Sequence, residues 1–180
     1  MNKLLTLALV LLVFSCKTPE ARRPISVKSG SFIDASVERN KKLNAKEQAS
    51  IEKIMKLNKN DYIASESGFW YYYNNKTEID TLQTPNFGDI INYNYNIKSL
   101  NGNVIYSTEE LKTQTYAMDK EELFTGLREG LKLMKAGETA TFLFPSQKAY
   151  GYYGDENKIG RNTPLICEVT VNSITLNQTN

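Results

Sequence analysis

The sequence feature that most constrains the fold is the strictly alternating run IINYNYNI at residues 90–97. From residue 91 onward, isoleucines and tyrosines occupy the odd positions and asparagines the even ones. Because successive side chains of a strand point to opposite faces, this run predicts a β-strand with one buried and one exposed face. Asn101-Gly102 follows shortly afterwards, and this dipeptide is the strongest short-range signal for a β-hairpin. We therefore expect an antiparallel hairpin to begin near residue 90.

Three further segments have the composition of strands, and one has the spacing of a helix. The strand-like segments are GFWYYY at 68–73, TATFLF at 139–144 and LICEVTVNSITL at 165–176, all rich in aromatic or β-branched residues. In LFTGLREGLKLM, at 123–134, apolar side chains recur at helical spacing, and Gly137 ends that segment. Antiparallel strands with one short helix predict an α+β domain in which the sheet wraps around the helix.

Residue usage excludes several kinds of active site. The chain has no histidine, which removes the commonest general base, histidine-activated nucleophiles and most zinc sites. The sequence also contains no phosphate-binding glycine loop and no carboxylates clustered at metal-ligand spacing. The formal net charge is only +2 on 180 residues, so the chain does not have the strong positive potential that nucleic-acid binding requires. We therefore expect no nucleic acid, no metal and no cofactor, and any chemistry must proceed without an imidazole.

The first sixteen residues, MNKLLTLALVLLVFSC, have the organisation of an export signal. One lysine precedes an apolar run that is too short to span a bilayer as a stable helix. An ordinary secretory signal cleaved near Ser15 would fit this pattern. Residues 13–15 followed by Cys16 also resemble the lipobox of bacterial lipoproteins, which implies a lipoprotein signal peptide at 1–15 and acyl chains on Cys16. More than one such chain is what stable membrane anchoring requires.

Cys167 is the lone thiol in the rest of the chain. It could be a reactive group, or a small hydrophobic residue that faces the core. Reactive thiols lie in exposed, electropositive settings, whereas Leu165, Cys167, Val169 and Val171 alternate as inward positions of a strand do. The alternation favours the core residue.

Residues 16–66 are predicted to form a tether and an N-terminal helical segment. The region is polar up to about residue 60, and KTPEARRP at 17–24 predicts an extended linker. Asn44 and Glu47 have the spacing of a capping box, so a helix is expected to begin there. Its apolar face consists of Ile51, Ile54 and Met55. This helix could dock on the following domain, act as a spacer, or pair with a second copy of the chain.

The segment LFTGLREGLKLMKAGETATFLFPSQKAYGYYG, at 123–154, resembles the central signature of FKBP-type peptidyl-prolyl isomerases. The matching positions are Gly126, Glu129, Gly130, Met134, Gly137, Glu138, Pro145, Ala149, Tyr150 and Gly151. Upstream, PNFGD at 85–89, Tyr95 and the Asn101-Gly102 dipeptide are also similar to the family. The resemblance implies an FKBP-like isomerase domain at 67–177, with an antiparallel sheet wrapped around one short helix.

The tether and the YYYNN stretch at 71–75 are similar, more narrowly, to the gliding-motility-associated isomerase lipoproteins of Bacteroidetes. That resemblance implies a location in the cell envelope of a Gram-negative bacterium. The domain would be anchored through Cys16, on the periplasmic side or at the outer membrane.

The family resemblance implies a site for rotating prolyl peptide bonds, a reaction that needs no nucleophile, metal or cofactor. The barrier to amide rotation, about 18–20 kcal/mol, comes from lost resonance, and the twisted amide is less polar than the planar one. A dry aromatic pocket therefore favours the twisted state. The resemblance assigns catalytic roles to Tyr95, Phe124 and Tyr150, with the Phe124 N–H and the Tyr150 hydroxyl donating to the peptide. It assigns substrate binding to Ile105, Tyr106, Leu123, Leu127, Ile159 and Cys167.

Several positions depart from the residues that are usual in the family. Tyr106 stands where a pocket aspartate is usual, and Leu127 where an aromatic residue often forms the pocket floor. Gln114 and Cys167 stand in place of aromatic walls, and Gly160-Arg161 replaces a pair of prolines. Loss of the aspartate and of two aromatic walls is expected to widen and wet the pocket. These changes bear on the catalytic rate and on the affinity for the macrolide inhibitors of the family.

Three functions remain open from the sequence. In the first, a membrane-tethered peptidyl-prolyl isomerase assists the folding of exported or envelope proteins, including those of a motility apparatus, and its partners are proline-containing polypeptides. In the second, the chain is an FKBP-shaped binding module or chaperone with weak catalysis, which Tyr106, Gln114 and Cys167 favour. In the third, it is a structural lipoprotein of a motility complex, which leaves the pocket residues unexplained. The resemblance at Tyr95 and Tyr150 favours the first.

Overall fold

The computed structural model describes residues 30–79 and 81–177, and within them the chain forms seven strands and three α-helices. The helices are α1 (Gly30–Asn58), α2 (Thr108–Leu111) and α3 (Thr125–Leu131). The strands are β1 (Ile63–Ala64), β2 (Trp70–Asn75), β3 (Ile90–Ser99), β4 (Val104–Tyr106), β5 (Gln114–Ala117), β6 (Thr139–Phe144) and β7 (Leu165–Thr175). This combination confirms the α+β prediction. The predicted signal at 1–15 and the lipidation position Cys16 lie outside the described residues.

The strands form one antiparallel sheet in the spatial order β1-β2-β6-β7-β3-β4, and β5 also pairs with β3. The last of the described strands, β7, therefore lies in the interior of the sheet and pairs with β3 along its whole length. Buried and exposed positions alternate along β3 as predicted. The hairpin prediction at Asn101-Gly102 is confirmed, since the Ser99 N–H donates to the Asn103 carbonyl oxygen at 2.9 Å and Gly102 has a φ of +86°.

Two glycines allow α3 to lie very close to β6. A Cβ atom at Gly126 would be 2.5 Å from Phe144 Cδ1 and 2.6 Å from the Lys148 carbonyl oxygen, and one at Gly130 would be 2.9 Å from Phe142 Cε1. No side chain fits at these distances, so both positions need glycine. The Phe142 and Phe144 rings are stacked with centroids 5.5 Å apart, and they form the surface that the helix covers. The glycine spacing of the signature is therefore a packing requirement of this helix–sheet contact.

Helix α1 is longer than predicted, and the expected capping box is wrong. The helix begins at Gly30, so Asn44 lies within it and Glu47 does not cap its start. Residues 38–58 contain no glycine or proline and are rich in lysine and glutamate, so helix propensity continues through the expected start. The Glu47 carboxylate is buried instead, where it accepts hydrogen bonds from Ser146.

Internal contacts divide the chain into two units, with the boundary between Val37 and Glu38. The described part of the first unit, 30–37, is the opening of α1. In the second unit, the apolar face of α1 is covered by the domain: Ile51 is completely buried, and Ile54 lines a cavity together with side chains of β6 and β7. These contacts support docking among the alternatives for this helix. Within the described part of the chain, no helix is both long and apolar enough to cross a membrane.

Candidate active site

The residues predicted to form the pocket all belong to one hydrophobic cluster. β3 carries Tyr95, α3 carries Leu127 and β7 carries Cys167, while Tyr150 and Ile159 lie between β6 and β7. The buried members are Tyr95, Leu127, Ile159 and Cys167, and the partly buried ones are Ile105, Tyr106, Leu123, Phe124 and Tyr150. Leu127 and Cys167 have no exposed surface, so they lie beneath the pocket and not on its walls. The structure thus places all nine predicted positions in or against the core, and three of them, Leu123, Phe124 and Tyr150, line one surface cleft.

Phe124 and Tyr150 hold two hydrogen-bond donors beside a surface cleft. The cleft has a volume of about 560 Å³ and is lined by residues 121–124, Arg128 and Tyr150. The Phe124 and Tyr150 ring centroids lie 5.1 Å apart, and Phe124 packs edge-on against Phe144 at 5.5 Å. Phe124 precedes the first turn of α3, and neither its N–H nor the Tyr150 hydroxyl has a hydrogen-bond partner among the described residues. Both donors are therefore available to a ligand.

Burial keeps the tyrosine hydroxyls of this region protonated. It raises the pKa of Tyr95 and of Tyr150 above the ordinary value, and neighbouring tyrosines and the Cys167 thiol add to the effect. The pKa of Tyr93 is raised for the same reason, and its ring lies 5.5 Å from that of Tyr95. Because a protonated phenol donates a hydrogen bond, Tyr150 can donate to a carbonyl oxygen throughout the neutral pH range. Burial also raises the pKa of the Cys167 thiol, which suits a core residue and not a reactive one.

A carboxylate from the loop after β6 reaches the pocket rim at Tyr106. The Tyr106 hydroxyl donates to Asp155 Oδ2 and accepts from Asn157 Nδ2 at 3.0 Å. Asp155 Oδ1 accepts from the backbone N–H groups of Asn157 at 2.9 Å and Ile159 at 2.7 Å. Burial alone would raise the pKa of the Asp155 carboxyl, but these hydrogen bonds outweigh it and hold the pKa below its ordinary value. Asp155 therefore joins the loop to β4 and fixes the backbone at Ile159.

Asp155 and Tyr93 are not among the site residues expected from the sequence, yet both lie in this region. An aspartate in a polar loop is a signal for a local turn, but its contact with Tyr106, which is 49 positions away, has no local signal. Although Tyr106 stands where a pocket aspartate is usual, its hydroxyl is hydrogen-bonded to a carboxylate, that of Asp155 in the loop after β6. Gln114 pairs with Tyr93 in the sheet, and its side-chain amide donates a hydrogen bond to the Leu111 carbonyl oxygen. Gln114 therefore does not replace the aromatic wall that is usual at this position.

Comparison with known proteins relates these residues to a family. A model of the FKBP-type peptidyl-prolyl cis-trans isomerases matches residues 82–172. The probable FKBP-type isomerase FkpA of Neisseria meningitidis is 31% identical over 85 residues, which are 47% of this chain and 31% of the relative. The human isomerase FKBP9 is 29% identical over 83 residues, which are 46% of this chain and 15% of the relative. The match thus spans less than a third of the length of either curated relative.

Two solved structures share the fold. A peptidyl-prolyl cis-trans isomerase from Pseudomonas syringae has a TM-score of 0.61 at 19% identity, over 75% of this chain and 95% of that one. FkpA from Escherichia coli has a TM-score of 0.60 at 22% identity, over 98% of this chain and 83% of that one. These similarities confirm the expected FKBP-like fold. Since the family model matches half of the sequence and includes every predicted pocket residue, the chain belongs to the FKBP-type peptidyl-prolyl cis-trans isomerase family.

Proposed function

We propose that this chain catalyses the cis/trans isomerisation of prolyl peptide bonds in polypeptide clients. The observation that carries the proposal is the pair of donors, the Phe124 N–H and the Tyr150 hydroxyl. They border one cleft, and neither has a partner among the described residues. Membership of the isomerase family supports the same reaction.

The reaction fits a site that contains donors and aromatic rings but no nucleophile. Uncatalysed rotation about a prolyl amide takes tens to hundreds of seconds because the resonance of the amide must be lost. The twisted amide carries less charge separation than the planar one, so the rings of Tyr95, Phe124 and Tyr150 stabilise it relative to the ground state. The Phe124 N–H and the Tyr150 hydroxyl bind carbonyl oxygens of the client. Part of the client is then held while the rest turns.

The experiment that tests this function compares the wild type with Tyr150→Phe. The rate of prolyl isomerisation in a short peptide is measured by NMR exchange spectroscopy. The substitution removes one donor and keeps the ring that packs on Phe124, so the fold is retained. We expect acceleration by the wild type and a kcat/KM about tenfold lower in the variant, which corresponds to one hydrogen bond of about 1.4 kcal/mol.

The matched control for this experiment is Tyr153→Phe, since the Tyr153 side chain is 76% exposed. It removes the same hydroxyl group from a neighbouring position of the same loop, and we expect wild-type activity. A folded wild type that accelerates no prolyl peptide would overturn the proposed catalysis. Equal activity of the wild type and Tyr150→Phe would remove Tyr150 from the mechanism.

A second candidate function is that of a binding module or chaperone with weak catalysis. It is favoured by the complete burial of Leu127 and Cys167. A leucine and a thiol beneath the pocket leave less aromatic surface for a bound proline than the aromatic residues usual in the family. Under this function, the wild type would suppress the aggregation of an unfolded client without accelerating isomerisation. Measuring both properties on one preparation separates the two functions.

For the location of the protein, we propose that it is a lipoprotein tethered to the envelope of a Gram-negative bacterium. The lipobox-like residues 13–15 before Cys16, and the apolar run that precedes them, support this proposal. The test is incorporation of labelled palmitate into the wild-type chain and into Cys16→Ser. We expect label in the wild type alone, and label in neither chain would refute lipidation.

For the biological setting, we propose that the clients are exported or envelope proteins, including those of a gliding apparatus. The resemblance of the tether and of residues 71–75 to motility-associated lipoproteins supports this proposal. A strain that lacks the gene would be complemented with the wild type or with Tyr150→Phe, and the spreading of colonies would be measured. We expect only the wild type to restore spreading. Normal spreading without the gene would refute the link to motility.

A further inference from the structure

Helix α1 contains a buried carboxylate that the proposed reaction does not use. Glu47 is 5% exposed, whereas its neighbours Lys46 and Gln48 are exposed. Its Oε2 accepts from the Ser146 N–H at 2.8 Å, and its Oε1 accepts from the Ser146 Oγ at 2.7 Å. Among the described residues the carboxylate has no cationic partner. Burying a carboxylate without a cationic partner is unfavourable, and the two hydrogen bonds from Ser146 offset that cost.

Ser146 begins the turn that carries Tyr150, which consists of residues 146–151. Its carbonyl oxygen accepts from the N–H groups of Ala149 at 3.0 Å and Gly151 at 2.8 Å, the two residues that flank Tyr150. The Gly151 carbonyl oxygen in turn accepts from the Asn162 N–H at 2.8 Å, which ties the end of the turn to the next loop. These hydrogen bonds hold the backbone on both sides of Tyr150 against Ser146, so the position of Ser146 determines the orientation of the Tyr150 side chain.

The same turn also touches the start of α3, where the second donor lies. The Lys148 carbonyl oxygen is only 2.6 Å from the position that a Cβ of Gly126 would take. Phe144, which precedes the turn, packs edge-on against Phe124 at 5.5 Å. A shift of the turn would thus change the distance between the Tyr150 hydroxyl and the Phe124 N–H. Misplacing a catalytic group by about 1 Å can lower a rate about 100-fold.

The contact between α1 and this turn extends beyond Glu47. A cavity of about 190 Å³ between them is lined by Asn40, Leu43, Asn44, Ser146, Gln147, Gly151, Tyr152 and Asn162. Glu47 also lies outside residues 82–172, which the family model matches. The support for the turn therefore comes from a helix that precedes the family domain in the sequence.

We propose that Glu47 is a positioning residue for isomerisation, which holds Ser146 and thereby orients Tyr150. Helix α1 then belongs to the isomerase machinery and is more than a spacer. The kinetic consequence rests on the proposed function, whereas the orientation of Tyr150 rests on the hydrogen bonds alone.

The kinetic test compares Glu47→Ala with Glu47→Gln in the full chain. Alanine removes both acceptors, whereas glutamine keeps an acceptor for the Ser146 N–H and offers an amide donor to the Ser146 Oγ. For Glu47→Ala we expect kcat to fall about tenfold with KM changed less than about twofold, and for Glu47→Gln we expect kcat within about twofold of the wild type. Glu38→Ala is the matched control on the same helix, because Glu38 is 62% exposed. It should change neither constant.

A second comparison separates positioning from a general loss of structure. In a Tyr150→Phe background, Glu47→Ala should lower kcat by less than about a further twofold, because both substitutions act through the same hydroxyl. An equal loss in both backgrounds, or a wild-type kcat in folded Glu47→Ala, would overturn the proposal. Ser146→Ala removes only the Oγ hydrogen bond and replaces Glu47→Ala if that variant does not fold. We expect its kcat to fall about threefold, and an unchanged kcat would overturn the proposal.

Fluorine NMR spectra of protein labelled with fluorotyrosine distinguish failure of this inference from failure of the proposed function. The Tyr150 resonance is assigned by its absence from Tyr150→Phe. It should shift in Glu47→Ala and stay in place in Glu38→Ala, whether or not the wild type is active. A shift in a protein that accelerates no peptide would refute the proposed catalysis and keep the positioning. An unchanged resonance would refute the positioning.

Discussion

Replacing Asp155 tests how strongly one loop carboxylate stabilises the domain. The carboxylate accepts hydrogen bonds from the Tyr106 hydroxyl and from the N–H groups of Asn157 and Ile159. Asp155→Ala removes the two oxygens that accept these three hydrogen bonds and leaves the Ile159 N–H, in a buried residue, without its side-chain partner. Bonds to charged acceptors contribute about 1.5–3 kcal/mol each, and partial exposure of the loop reduces this to about 1 kcal/mol. We therefore expect a loss of about 3 kcal/mol in the free energy of unfolding.

The assay is thermal unfolding at neutral pH, followed by circular dichroism. For a chain of this size, about 3 kcal/mol corresponds to a decrease in Tm of about 6–12 °C. The matched control is Glu156→Gln, which removes a charge from the next, exposed residue and should shift Tm by less than about 1 °C. A Tm for Asp155→Ala within about 2 °C of the wild type would refute the stabilising role of this carboxylate.

The stabilisation by Asp155 should depend on pH in a defined direction. Its pKa is lower in the folded chain than in the unfolded chain, so the ionised carboxylate stabilises the fold above the unfolded value of about 3.9. As the pH falls below about 3.9 and through the folded pKa, this stabilisation is lost. The Tm difference between the wild type and Asp155→Asn should therefore shrink in acid. A difference that is constant from neutral pH to about pH 2.5 would contradict the assignment.

Three further substitutions and one labelling experiment test packing. Gly126→Ala should destabilise the fold by about 2–3 kcal/mol in urea unfolding, because its Cβ would overlap Phe144. Gly160→Ala, whose Cβ would lie 3.6 Å from Thr163 Oγ1 and whose φ is not positive, should cost less, and the reverse order would refute the packing account. The Cys167 thiol should react with a maleimide only as fast as the chain unfolds, as peptide mass spectrometry can measure, and fast labelling of folded protein would disprove its burial. Ile51→Ala should cost about 3 kcal/mol in urea unfolding, and an unchanged stability would show that α1 is not docked.

The strands could be predicted from the sequence because their signals are local. Burial along β3 alternates with each residue, and the alternation can be read from the side chains themselves. The turn at Asn101-Gly102 needs a positive φ, which Gly102 provides. The glycines of the signature could be recognised from the sequence as a pattern. The physical reason why positions 126 and 130 need glycine is their close contact with Phe142 and Phe144 of β6, which the sequence does not show.

The contacts of Glu47 and Asp155 could not be predicted in the same way. Glu47 binds Ser146 across 99 positions, and Asp155 binds Tyr106 across 49. No periodicity relates residues so far apart, since only the folded sheet brings them together. The spacing of Asn44 and Glu47 even favoured the wrong interpretation, because a capping box and an ordinary stretch within a helix can have the same residues.

The interior position of β7 determines when the domain can fold. β7 lies between β6 and β3, and the pairing of Ile90 with Thr175 joins distant parts of the chain. While residues after 164 have not yet left the ribosome, β6 and β3 have no strand between them, and the buried side chains of β7 are missing from the core. Pairings so distant in sequence also form slowly, because the entropy of loop closure is lost before the contacts are gained. A nascent chain therefore stays unfolded until residues 165–175 have been synthesised, and a truncation before β7 removes the middle of the sheet and not its edge.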